Sequence, residues 1–108
     1  MNKEMSPQQR YALTQANIYQ QQMQVLIGQR QQIELQLKEI EVAHEELKKE
    51  KVDEVYKAIG PALIKKKKDD VLLDLMDAKE KLDTRIKTIK SQEKKLGDKL
   101  KELSSKLE

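Results

Sequence analysis

Val55-Tyr56-Lys57-Ala58-Ile59-Gly60-Pro61-Ala62-Leu63-Ile64 lies at the middle of the chain and interrupts an otherwise helical pattern. Val55, Tyr56, Ile59 and Ile64 favour strand, and Gly60-Pro61 is a turn pair between two short apolar runs. The reading is a β-hairpin within residues 55–67, with about five residues in each strand. Working outward, heptad rows appear on both sides. Before the hairpin, residues 12, 19, 26, 33, 40 and 47 are Ala, Tyr, Leu, Ile, Ile and Leu, beside a second row of Ala16, Met23, Arg30, Leu37, His44 and Lys51. After it come Leu75, Leu82, Ile89, Leu96 and Leu103, interleaved with Leu72, Lys79, Ile86, Glu93, Leu100 and Leu107. Eighteen of these 23 seam positions are apolar, and a 3.5-residue period sustained so long specifies a coiled-coil helix. Two such helices joined by a short link close on each other only antiparallel.

The expected fold is therefore mainly α: a long antiparallel two-helix coiled coil with a central β-hairpin. The whole chain, residues 1–108, reads as one unit, with helix 1 over about 7 to 52, the hairpin over 55–67 and helix 2 over about 70 to 107. Ser6-Pro7-Gln8-Gln9 carries two helix-start signals, Ser6 as N-cap with Gln9 three residues on and Pro7 at the first helical position. Asp69 and Asp70 are the natural caps of helix 2. Arg30 and Glu93 fall within about one layer of each other in the antiparallel registers the hairpin allows, which predicts an ion pair across the seam.

Composition removes whole classes of function. Aromatics are 3% and Phe and Trp are absent, so no conventional globular core is available. Net charge is only +3, because 22 basic residues are interleaved with 19 acidic ones; together with the lack of aromatics beside Lys65-Lys66-Lys67-Lys68, this argues against nucleic acid. That lysine run reads as strand-end and loop charge guarding an edge. With no cysteine and a single histidine, His44, no metal or other cofactor is expected. No catalytic constellation is visible, so no enzyme is expected. Without a targeting or membrane-length apolar segment, the expectation is a soluble cytoplasmic protein with no membrane partner.

Two features call for partners. An isolated two-stranded hairpin is marginal in water, so hairpins from several chains are expected to pair into a closed β-barrel hub. Residues 11–29 hold no charged side chain and residues 8–36 hold eleven glutamines; within this stretch Tyr11, Leu13, Ile18, Val25 and Ile27 lie off the seam. Either a third helix or a symmetry mate packs there or the surface binds other apolar chains without demanding a particular sequence.

The central segment, Gln20-Gln21-Gln22 and Gln92-Glu93-Lys94-Lys95-Leu96 together resemble the β-class subunits of prefoldin, over about Gln8 to Leu107. The single hairpin matches that class, since the other class is longer and has two; the unbroken four-lysine run is a local departure. The resemblance implies an ATP-independent co-chaperone in which two α-class and four β-class subunits join through their hairpins into a double β-barrel. Six coiled coils project from it, and their free ends hold unfolded polypeptide and pass it to a group II chaperonin. On that mapping Val55, Tyr56, Ala58, Ile59, Gly60, Leu63 and Ile64 serve assembly, and Tyr11, Leu13, Ile18, Leu100, Leu103 and Leu107 grip the client. A coiled-coil scaffold without client binding and a basic nucleic-acid-binding hairpin are the competing readings.

Overall fold

A computed structural model describes residues 4–107 and gives the order α1 (Pro7–Lys49), β1 (Glu54–Ile59), β2 (Ala62–Lys67) and α2 (Lys68–Leu107). The start of α1 is a reciprocal capping box. The Gln9 backbone N–H donates to Ser6 Oγ at 3.1 Å, and the Ser6 N–H donates to Gln9 Oε1 at 2.9 Å.

Residues up to Gln32 and from Ile86 onward form one unit, called here the terminal unit. In it Arg30 meets Glu93, Tyr19 meets Lys99, and Tyr11 and Ala12 share a groove with Leu103, so α1 and α2 run antiparallel. Ala12, Ile86, Ile89 and Leu96 are buried, and all four are seam residues. The Arg30–Glu93 pair is bidentate, Nε to Oε2 at 2.7 Å and Nη2 to Oε1 at 3.2 Å, as the heptad rows predict. It lies within the seam, with the two side chains 23% and 16% exposed.

Residues 33–85 form the central unit, with Ile33 its buried residue. Leu37, Ile40, His44 and Leu47 of α1 and Leu72, Leu75, Lys79 and Leu82 of α2 are half-buried. Lys79 Nζ reaches Glu41 Oε1 at 3.7 Å, a seam lysine bending out to solvent. The hairpin registers Val55 against Lys66, Tyr56 against Lys65, Lys57 against Ile64, Ala58 against Leu63 and Ile59 against Ala62. Gly60 has φ +55°, and a positive φ at the first central residue followed by Pro61 is the type II′ hairpin turn, which a side chain at position 60 would strain.

The element ends depart from the sequence expectation in three places. Helix α1 stops at Lys49 rather than 52, leaving the seam position Lys51 exposed outside the helix. The reason is tertiary: the Lys68 N–H donates to the Asp53 carbonyl at 2.8 Å and Lys68 Nζ bonds the Glu50 carbonyl, which ties this connector to the start of α2. The strands have six residues each rather than about five. Lys65, Lys66 and Lys67 form the end of β2, as the expected hairpin span of 55–67 and the strand-end reading have it. Helix α2 begins at Lys68, so Asp69 and Asp70 lie in its first turn, where their charges favour the helix N-terminus, instead of capping it from outside.

Two outcomes follow. Arg30→Leu strands Glu93 and should cost about 1–3 kcal/mol in denaturant unfolding, while Arg30→Leu with Glu93→Leu should recover most of that loss; a double-mutant cycle without coupling would mean that each side chain is solvated separately. Gly28 and Gly97 sit inside helices where an added Cβ meets nothing within 4 Å. Gly28→Ala and Gly97→Ala should therefore each stabilise the chain by about 1 kcal/mol, read as a higher Tm.

Candidate functional site

Besides exposed apolar residues on the helices of the central unit, Leu35, Val42, Leu73 and Met76, two candidate surfaces stand uncovered within their own units. The first is the hairpin. Directly paired residues share a face of an antiparallel ladder, so Val55, Ile59, Ala62 and Ile64 occupy one face and Tyr56, Ala58 and Leu63 the other. Each face carries apolar residues among charged ones, Lys57 and Lys66 on the first and Glu54, Lys65 and Lys67 on the second; Tyr56 is 66% and Leu63 71% exposed, and Ile59 and Ile64 are exposed as well. Only Val55 and its partner Lys66 are half-buried. The sheet has two strands, so both outer edges keep unpaired backbone groups among the described residues. Lys65 is drawn to Glu54 at 2.7 Å, which ties one member of the lysine run into the ladder.

The second surface lies in the terminal unit. Tyr11, Leu13, Ile18 and Val25 are exposed, whereas Ile27 is half-buried against the seam. Heptad spacing sorts them by side. Tyr11, Ile18 and Val25 recur every seventh residue beside the row Gln8, Gln15, Gln22 and Gln29, while Leu13 and Ile27 fall across the seam. Along the first side run two open grooves. One, of about 650 Å³, lies between Ile18, Val25 and Gln22 of α1 and Gln92, Lys95 and Lys99 of α2. The other, of about 860 Å³, lies between Pro7, Tyr11 and Ala12 of α1 and Leu103 and Lys106 of α2. Lys99 Nζ stands 5.3 Å from the centre of the Tyr19 ring, a cation–π contact beside the first groove.

The structure thus brings Tyr11 and Leu103 to one groove and places Ile18 in the other, while Leu13 lies apart from both. Leu100 and Leu107 are half-buried seam residues, with less surface to offer than the exposed row. Val25 belongs with that row. The period-seven repeat of glutamine beside an apolar residue was the signal that identifies it. Among the described residues no three His, Cys, Asp or Glu side chains gather as metal ligands, and no helix is long and apolar enough to cross a membrane.

Comparison with known proteins assigns this arrangement to a family. The sequence pattern described as "Prefoldin subunit" matches residues 11–108. The chain belongs to the prefoldin subunit family. Its relatives include the prefoldin subunit beta of Archaeoglobus fulgidus, 44% identical over 97% of this chain and 91% of the relative. That of Thermococcus onnurineus is 41% identical over 94% of this chain and 89% of its own length. The crystal structure of the prefoldin beta subunit from Thermococcus strain KS-1 superposes with a TM-score of 0.92 at 36% identity, covering 98% of this chain and 94% of that one. In this prefoldin-family chain, the helix–hairpin–helix order is thus a shared fold.

If the hairpin is the assembly surface, Ile59→Asp with Ile64→Asp places two charges at apolar positions of one face that are exposed in the single chain. The variant should keep its helical circular dichroism and fail to join a complex on a sizing column. Retention of the complex would remove the hairpin from the interface.

Proposed function

We propose that the chain is the β-class subunit of a hetero-hexameric, ATP-independent co-chaperone that holds unfolded polypeptide and delivers it to a group II chaperonin in the cytoplasm. Membership of the prefoldin family supports the assembly with α-class and further β-class subunits. The hairpin supports it too: Val55, Tyr56, Ala58, Ile59, Leu63 and Ile64 offer apolar area on two faces, and the Gly60 turn fixes their register. Each chain that pairs at an open edge satisfies backbone groups and covers these side chains in one step.

The observation that carries client holding is the exposed apolar row on an uncharged wall. Tyr11, Leu13 and Ile18 lie off the seam and keep 66%, 41% and 41% of their surface exposed, so that part is available to another chain. Leu103 extends it from α2, with the half-buried Leu100 and Leu107 contributing what surface they keep. Each side chain is already part-covered, so a client adds roughly 1 kcal/mol per residue, below the full-burial value. Several projecting coiled coils acting on one client raise the effective concentration and turn weak contacts into useful affinity.

Tyr11→Ser, Leu13→Ser and Ile18→Ser in one chain should leave helicity and assembly intact and abolish most protection of a chemically denatured protein diluted into the complex. Since the contacts are mainly apolar, protection by the parent complex should persist at high salt. A triple variant that protects fully would favour a scaffold without client binding.

A further inference from the structure

The geometry points to a preference built into this grip: the grooves beside the seam take acidic, amphipathic segments, with apolar side chains against Tyr11, Ile18 and Val25 and carboxylates toward Lys95, Lys99 and Lys106. The inference rests on the client-holding reading and adds the chemical class of segment held. Its basis is the charge of the two walls. The α1 wall is uncharged from residue 11 to 29, so it neither attracts nor repels a charged neighbour. Every formally charged side chain lining the two grooves is a lysine of α2, and no carboxylate lines either among the described residues. All three lysines are exposed, and the contact of Lys99 with Tyr19 keeps one ammonium beside the groove.

The spacing suits a bound chain without dictating its conformation. Residues seven apart on α1 are about 10.5 Å apart at 1.5 Å per residue. A helical segment matches this with its own seventh residue, and a polyproline II segment, with three residues per turn, with every third, at roughly 9 Å. An occupant whose apolar residues seat on that row turns its flanking polar residues toward α2. Carboxylates there meet lysines, and basic side chains meet like charge.

The magnitude is modest, since exposed ion pairs contribute little. Each lysine should change affinity by a factor of about 1.4 to 5. Three together give discrimination on the order of tenfold between acidic and basic segments, while apolar burial supplies the bulk of binding to either.

The test uses the complex assembled with its α-class partner and two labelled synthetic peptides that share one heptad pattern of leucines. One carries Glu at every other position and the other Lys. Fluorescence anisotropy at low salt should show the acidic peptide binding roughly tenfold more tightly, and the difference should shrink at high salt while both still bind. Lys95→Gln, Lys99→Gln and Lys106→Gln together should level the two peptides, and the corresponding Lys→Glu variant should reverse their order. Ile18→Ser with Val25→Ser should weaken both. Equal binding of the two peptides, or a preference that survives neutralisation of the lysines, overturns the groove. A parent complex that still suppresses aggregation in that case keeps the holding function and loses only the preference. One that suppresses no aggregation fails at the earlier step.

Discussion

A coiled-coil seam is the only apolar burial that this composition permits, and the rest of the molecule follows from how narrow it is. Among the described residues five, Ala12, Ile33, Ile86, Ile89 and Leu96, are buried, and every one is a seam position. A helix paired with one neighbour covers about a third of its circumference. An apolar residue outside that stripe therefore stays in water unless another chain covers it. That geometry leaves Tyr11 and Val25 bare in the terminal unit, and in the hairpin a sheet of two strands leaves Tyr56 and Leu63 bare as well.

The polar members of the seam show how such a thin core holds one register. Leucine rows slide past each other at small cost, because each layer resembles the next. Arg30 and Glu93 do not slide: a shift of one layer breaks a bidentate pair and leaves two charges half-buried. Lys79 carries less weight, since its ammonium reaches solvent and a distant Glu41. In the hairpin the same task falls to backbone geometry, where a two-residue turn with Gly60 at positive φ allows one pairing of the strands.

The seam, the capping box, the hairpin turn and the Arg30–Glu93 pair were legible because each depends on residues at fixed spacing. The end of α1 was not. Glu50 and Lys51 are good helix formers, and what stops the helix is hydrogen bonding from Lys68, distant in sequence. The lysine run was legible in part: Lys65, Lys66 and Lys67 are the strand end that was expected, paired with Tyr56, Val55 and Glu54, while Lys68 opens α2 rather than a loop. At the candidate site, periodicity exposed the apolar surplus on α1. The division between Tyr11, Ile18 and Val25 on one side and Leu13 on the other needed the position of α2 in the terminal unit.

The glutamines at 8, 15, 22 and 29 give the groove wall a further property. A primary amide holds two donors and an acceptor on one rotatable end, so a turn about one bond exchanges which it offers. Peptide backbone presents the same two kinds of group in alternation, whatever side chains it bears. A wall of amides can thus satisfy a neighbouring main chain running in either direction. On the proposed client-holding reading, this wall would bond the main chain of a bound segment whatever its side chains, leaving any choice between segments to other parts of the groove.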